Sequence, residues 1–427
     1  MDNLLFEIFI THAYKDKYHR NFRLRMRQVC KSWEKLINTH INISIRICDN
    51  ITGEMIDNIF DKMAANNVIC SDDKHHKCSY MYYEKFKNIK SLRMLSSLRI
   101  CDVSRFTNLT ELELFTWKSR CYVGDILKLH QLEKLKLYKC KNPDTMNNFD
   151  KLSELPNLTE LHLEKTDIYC IHKMSNLLNL TVAYQHIHGL ESLVNLTKLD
   201  LCRTDFEFED FGVFPNLTDL TIKSYDDDDC EEYEGTANPI LQLNNLTTNL
   251  RRLTLDCIDV EYLELNNDIT NLEIRNCYAF PVNMYELMNL RKLHISMYDY
   301  HIQLPSLTNL TSLKLEFCYD YYTDLGDADL LRNLRKLSVS HSKVYINYDN
   351  DVFTNLTSLN VDYSKTNIID FSCYPNLTYL NMCGFHDFDE ESLYTLSNLE
   401  IIRYDLRDNY EVFMLPALKL VNDKFIS

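Results

Sequence analysis

Apolar residues along this chain come in short alternating bursts. In Leu112-Glu113-Leu114 two leucines flank one polar residue, the period of a β-strand with one buried face. The burst closes a longer phrase, Asn108-Leu109-Thr110-Glu111-Leu112-Glu113-Leu114. Close copies of that phrase begin at Asn157, Asn195, Asn216, Asn309, Asn355 and Asn376. Weaker copies begin at Asn88, Gln131, Asn176, Asn249, Asp268, Asn289, Asn333 and Asn398. Most starts lie roughly 19 to 26 residues apart, a period that marks a repeat architecture. The step from Asn216 to Asn249 is longer and predicts an insertion. So short a strand cannot bury its apolar side alone. Stacked copies are therefore expected to form a parallel ladder whose leucines line one core. The leading leucine, Leu109, is expected in the turn before the strand, packed into the same core.

The phrase resembles the leucine-rich repeat, from about Ile41 to the C-terminus. In that family a small polar residue follows the strand and satisfies backbone groups in the turn. Here the place is taken by Cys140, Thr166, Thr204, Cys277, Cys318, Ser342 and Ser364, and by bulky Trp117 and Tyr298 in irregular copies. The resemblance implies an α/β class: a curved solenoid with its parallel sheet on the concave face. Strand residues pointing away from the core would line that face, the usual contact surface of such arrays. Glu113, Lys136, His162, Asp200, Glu273, His294 and Lys314 stand in its central column and are the expected target-binding residues. Signs of charge alternate along the column, which suits a folded protein partner and not nucleic acid. In the later repeats Tyr298, Tyr300, Tyr319 and Tyr321, with aspartates between them, suggest a second contact rim.

The first 40 residues lack the repeat. Phe22, Met26, Val29, Trp33 and Leu36 recur at helical spacing, with Arg23, Arg25, Arg27, Lys31 and Lys35 around them. A short helix so apolar on one side must dock on something. Leu4-Leu5-Phe6-Glu7-Ile8-Phe9 resembles the opening of an F-box, and Val29-Cys30-Lys31-Ser32-Trp33 resembles its close. That resemblance implies a three-helix module over residues 1–40, ahead of repeats over 41–427 with an atypical first repeat at 41–87. It also implies a role: substrate receptor of an SCF-type ubiquitin ligase, with the module on the Skp adaptor and cullin core and the solenoid on the target. Leu4, Leu5, Glu7, Ile8, Val29, Cys30, Trp33 and Leu36 would touch the adaptor. The competing reading is a non-enzymatic interaction scaffold in which the same segment is an amphipathic cap closing the solenoid.

Composition adjusts this picture in a few places. Only 7 glycines occur in 427 residues, which leaves little for glycine-rich phosphate cradles. The wealth of Asn, Ile, Lys and Tyr looks like an AT-rich coding genome, such as that of a giant DNA virus or a protist. The 15 cysteines are odd in number and scattered, with no Cys-x-x-Cys pair, which predicts a reducing compartment and free thiols. No basic lead-in and apolar core mark a secretory signal at the N-terminus. No apolar run approaches the ~20 residues of a membrane span. We therefore expect a cytoplasmic protein, in the host cell if the gene is viral, without a membrane partner. The Asn-Leu-Thr triplets match the glycan-acceptor pattern only because the repeat shares its letters. Cys70, His75, His76 and Cys78 lie close together, but their spacing fits no common zinc module. The acidic stretch 225–235 reads as an exposed loop without calcium-loop spacing. No catalytic motif, cofactor signature or metal module stands out, and we expect a binding protein, not an enzyme.

Overall fold

The computed structural model describes residues 44–47, 67–70, 89–94, 103–115, 123–139, 149–166, 171–206, 214–224, 241–243, 249–258, 260–277, 284–296, 304, 307–317, 323–327, 332–347, 353–366, 370–385, 388–404 and 420–421. The chain divides into two compact units, 1–143 and 144–427. The F-box segment, its boundary at residue 40 and the acidic stretch 225–235 lie outside the described residues.

In the first unit the strands Ser44–Ile47, Asn67–Cys70, Ser91–Met94, Glu111–Phe115 and Lys134–Tyr138 pair in parallel, each with the next. The second unit repeats this order. Glu160–Glu164, Asn179–Ala183, Lys198–Cys202 and Asp219–Lys223 lead into Arg252–Asp256, Asn271–Arg275, Lys292–Ser296 and Ser312–Glu316. Lys336–Ser340, Ser358–Asn360, Tyr379–Asn381, Ile401–Arg403 and Leu420–Val421 complete it. The strand over Asp219–Lys223 pairs directly with Arg252–Asp256. The insertion therefore leaves the main sheet, and its Leu241–Leu243 pairs instead with Val260–Leu263. Further short parallel ladders follow the main strands: His186–Ile187 with Asp205–Phe206, and Thr323–Asp327 with Lys343–Asn347 and Lys365–Thr366.

Burial alternates as expected along Glu111–Phe115, Glu160–Glu164, Asp219–Lys223, Asn271–Arg275 and Ser312–Glu316, whereas Lys292–Ser296 is buried from Leu293 onward. In Ser312–Glu316 the two leucines are buried while Ser312, Lys314 and Glu316 face outward. The strands stack in step, so Leu313 lies between Leu293 and Leu337. The leading leucines Leu109, Leu196 and Leu310 are fully buried in the turns before their strands.

Every letter of the Asn-Leu-Thr triplet has a structural job. The asparagine amide donates to a carbonyl one repeat earlier: Asn195 to Ser175 at 2.9 Å, Asn309 to Met288 at 2.7 Å and Asn376 to Thr354 at 2.7 Å. The threonine hydroxyl does the same, Thr197 to Leu178 at 3.1 Å and Thr311 to Arg291 at 3.0 Å. The asparagine amides thus tie each turn to the turn before it, while the threonine hydroxyls add a donor to carbonyls that already accept backbone N–H groups of the next strand. After the strand, Thr166, Cys277, Ser342 and Ser364 are buried and bond back to carbonyls two or three residues earlier. The small polar position expected there is thus real. Cys140, Cys318, Trp117 and Tyr298 lie outside the described residues.

One expectation needs correction. The α/β class called for helices, yet those described are short: the longest is the six-residue 3-10 helix Phe149–Glu154, and the rest are single turns. Val103–Arg105, Ile171–Lys173, Leu190–Ser192, Met284–Glu286 and Phe371–Cys373 are 3-10 turns, and Val123–Ile126 and Glu390–Leu393 are one-turn α-helices. A repeat of this length spends its residues on the strand, the bend after it and the Asn-Leu-Thr turn, which leaves no room for a longer helix. Each turn still plugs the core with one apolar side chain, such as Ile171, Leu190 or Met284. The architecture is a parallel β-solenoid.

Neighbouring residues of one strand offer the sharpest test. Leu313→Ala should destabilise the protein by ~2–5 kcal/mol, because it leaves a cavity between two repeats. Lys314→Ala should change stability by less than ~1 kcal/mol, since its ion pair is surface-exposed. Chemical denaturation of both variants measures the contrast; equal losses would refute the alternation.

Candidate functional site

In-step register turns the outward strand residues into columns. In the first unit Arg93, Glu113 and Lys136 stand side by side, and Arg93 pairs with Glu113 at 2.8 Å. Lys136 is exposed. In the second unit the column runs from His162 through Thr181, Asp200, Thr221 and Thr254 to Glu273, His294 and Lys314. The structure thus brings His162, Asp200, Glu273, His294 and Lys314 into one line, and Glu113 and Lys136 into another.

The charges of this column are mutually held. Asp200 takes Lys198 at 2.9 Å and the Thr181 hydroxyl at 3.2 Å. Asp219 is paired to Arg252, and burial, which raises its carboxyl, is outweighed by hydrogen bonds from Arg252 and Thr218 that leave it below its ordinary value. The densest cluster lies over Glu273, Arg275, His294, Lys314 and Glu316. Arg275 meets Glu273 at 2.6 Å, and Glu316 receives Lys314 at 2.8 Å and His294 Nε2 at 2.9 Å. Although His294 occupies an outward position, it is only 9% exposed. The long side chains around it close over the imidazole, so it offers a partner little surface. Burial pushes the His294 pKa down against the pull of Glu316, while Lys314 and Arg275 push it further. Burial raises the Glu316 carboxyl, but hydrogen bonds from Lys314 and His294 outweigh it and leave the group low. A neutral imidazole facing an ionised carboxylate must carry its proton on Nε2. Among the described residues no three His, Cys, Asp or Glu side chains are grouped as metal ligands, and no helix is long and apolar enough to cross a membrane.

No protein-family model matches the chain, and no curated protein does. Solved structures do resemble it. The functional domain of InlJ from Listeria monocytogenes, described as including a cysteine ladder, superposes with a TM-score of 0.52 at 18% identity, over 76% of this chain and 70% of that one. An internalin of the same organism, InlF, reaches 0.46 at 16% identity, over 75% and 88%. A leucine-rich-repeat protein of Leptospira interrogans reaches 0.49 at 16% identity, over 88% and 100%. The first likeness, together with the parallel ladder of Asn-Leu-Thr turns, decides the fold. This chain folds as a leucine-rich-repeat solenoid. At such identities the likeness is one of fold alone.

The leucine-rich-repeat solenoid carries a second column that sequence reasoning missed. At many strand exits one residue adopts a left-handed backbone: Lys165, Tyr184, Arg203, Cys257, Asn276, Phe317, His341 and Tyr363 in the second unit, and Lys139 in the first, all with φ between 48° and 57°. Such a backbone costs a non-glycine residue about 1–2 kcal/mol. It turns the chain so that the next residue enters the core: Thr166, Cys277, Ser342 and Ser364 where it is small, and Gln185 and Ile258 in two other repeats. Backbone bonds offset the strain: the Lys165 N–H reaches Ala183 O at 2.9 Å and the His341 N–H reaches Asp362 O at 3.0 Å. The side chains then pile up across repeats. Tyr184 lies between Lys165 and Arg203, whose cationic groups stand 4.9 Å and 5.3 Å from its ring centre. Phe317, His341 and Tyr363 form a stacked ladder. Only its place, two residues after the strand's second apolar position, could have been read from the sequence, because no single residue type marks it. The expected rim tyrosines Tyr298, Tyr300, Tyr319 and Tyr321 lie outside the described residues.

Acid should test the His294 cluster. A histidine whose folded pKa is depressed binds fewer protons folded than unfolded, so stability falls as pH drops below its ordinary 6.5. Glu316 adds a second loss at lower pH, below its ordinary 4.5. Melting scans across this range should show a shallower decline for His294→Gln than for the unaltered protein between pH 6.5 and the lower histidine pKa; parallel curves would refute the assignment.

Proposed function

We propose that this chain is a non-catalytic scaffold that holds a protein target on the outward strand face of its solenoid. We further assign residues 1–40 as an F-box that docks on the Skp adaptor and the cullin core, making the chain a substrate-recognition subunit of an SCF-type ubiquitin ligase. The observation that carries the binding role is the fixed line of paired charges from Asp200 to Glu316. Such side chains are ordered before a partner arrives, which lowers the entropy cost of association. The adaptor role rests on Val29-Cys30-Lys31-Ser32-Trp33 and on the apolar helical spacing around it. Catalysis then belongs to other subunits, and this chain supplies proximity by raising the effective concentration of target lysines.

Capture by immobilised Skp adaptor tests the module in the full chain. The unaltered protein should bind, and Trp33→Ala with Val29→Asp should lower capture roughly tenfold or more, since buried aromatic anchors dominate interfaces. Unchanged capture, or none by either protein, would remove the F-box assignment. It would leave the scaffold reading with an amphipathic cap, which the spacing of Phe22, Met26, Val29, Trp33 and Leu36 also favours.

The compartment we assign is the reducing cytoplasm, of the host cell if the gene is viral. Cys202 and Cys277 are free thiols. Cys277, pushed up to about 11 by burial, fills the place that Ser or Thr holds in other repeats. Thiol titration in denaturant without reductant should find all 15 cysteines reactive. Several native disulfides would move the protein out of that compartment.

A further inference from the structure

We propose that the stacked rings of Phe317, His341 and Tyr363 form a rigid docking surface for an arginine-bearing segment of the protein target. This rests on the scaffold reading above and says where on the solenoid the target is gripped, and by what chemistry.

The three rings sit on consecutive repeats: Phe317 and His341 directly follow their strands, and Tyr363 follows Ser358–Asn360 by three residues. Their centroids are 5.0 Å and 4.9 Å apart, and their planes lie 8° and 9° from parallel. Phe317 is 37% exposed and Tyr363 53%. Aromatic surface that is both open to water and fixed in orientation is what interface anchors are made of, since docking on it orders little that was free. The central column presents ordered charges but no exposed aromatic ring of this kind to serve as an anchor among its described residues.

Gly384 supports a built arrangement. It continues the same column with a φ of 64°. That conformation does not explain the glycine, because the non-glycine residues of the column adopt nearly the same backbone. Space explains it. A Cβ on Gly384 would come within 2.4 Å of Cδ1 and 2.5 Å of Cε1 of Tyr363. The missing side chain lets the tyrosine lie flat over the next repeat and complete the ladder.

Charge selects the occupant. Asp362 directly precedes Tyr363 and stands beside the ladder on the strand face. Its carboxylate accepts the Ser340 hydroxyl at 2.5 Å and has no ion pair among the described residues. Asp200, Asp219, Glu273 and Glu316 are all held by Lys or Arg. A carboxylate without a cation beside a wall of ring edges fits arginine. Its planar guanidinium forks onto the carboxylate and its apolar stem lies along the rings. The net charge of −16 draws basic segments to this chain at long range.

Selecting a displayed library of short random peptides on the full chain tests this. Arginine should be enriched, and a selected peptide should bind Asp362→Asn, Tyr363→Ala and Gly384→Ala roughly tenfold or more weakly than the unaltered protein. Gly384→Ala removes no contacting group and only displaces the ring, so a loss there reads ring placement. Asp362→Asn preserves shape and keeps the test alive if either other variant unfolds by circular dichroism. Enrichment of aspartate and glutamate, drawn by Lys343 and Lys365 just past the ladder, would overturn the proposal. Arginine-rich binders indifferent to Asp362 and Tyr363 would also overturn it. Binders weakened by Lys314→Ala instead would put the grip on the central column, leaving the scaffold reading standing while the ladder proposal falls. An empty selection likewise overturns the ladder proposal, and the adaptor capture judges the F-box assignment separately.

Discussion

Each repeat of this protein depends on its neighbours to bury two strand leucines and one turn leucine. A lone copy would leave Leu310, Leu313 and Leu315 in water, whereas in the stack all three are almost fully buried. Burial of that kind is the main favourable term in folding. Here it can be gained only if consecutive strands lie parallel and in step. A shift of one residue would turn the leucines outward and bring Lys314 and its counterparts into the core. The register of the sheet is therefore set by the core, and everything on its outer face inherits that register.

The turns have to meet this demand with very little chain. In the close copies an Asn-Leu-Thr triplet enters the strand, tying two polar side chains to carbonyls of the repeat before and dropping a leucine inward. A left-handed residue leaves the strand and aims a small polar side chain into the core. Both devices consume residues that a longer repeat would spend on a helix, and the helices described between the strands are accordingly no longer than Phe149–Glu154. Strain at the left-handed position is distributed over many repeats, each held by a backbone bond to the next strand.

The outer face follows from the same constraint. Because strands repeat in step, side chains with equivalent places in sequence become spatial neighbours about one strand spacing apart. Opposite charges then find each other across repeats, as His294 and Glu316 do, and rings at the strand exits stack. Arrays of this kind bring together residues about twenty positions apart in sequence, with no local motif to announce them. Only the sum over several repeats makes a surface that a partner can read.

The strands, their parallel stacking, the insertion after Asn216 and the inward leucines were all legible in the sequence, because they depend on a period that the letters repeat. Alternation in Leu112-Glu113-Leu114 and its copies also placed Asp200, Glu273, His294 and Lys314 in one outward column. The turns opposite the strands were not legible as such, since helix and turn draw on the same apolar residues in so short a segment. Nor was the burial of His294, which comes from the reach of Glu316, Lys314 and Arg275 on its own and neighbouring strands. The exit column was hidden for another reason: Lys165, Tyr184, Phe317, His341 and Tyr363 share a backbone conformation but no common side-chain type. Sequence by itself determined the repeat and its core, because burial acts on every copy alike. Tertiary structure alone decided which side chains meet across repeats, because those contacts depend on the actual residues that register happens to bring side by side.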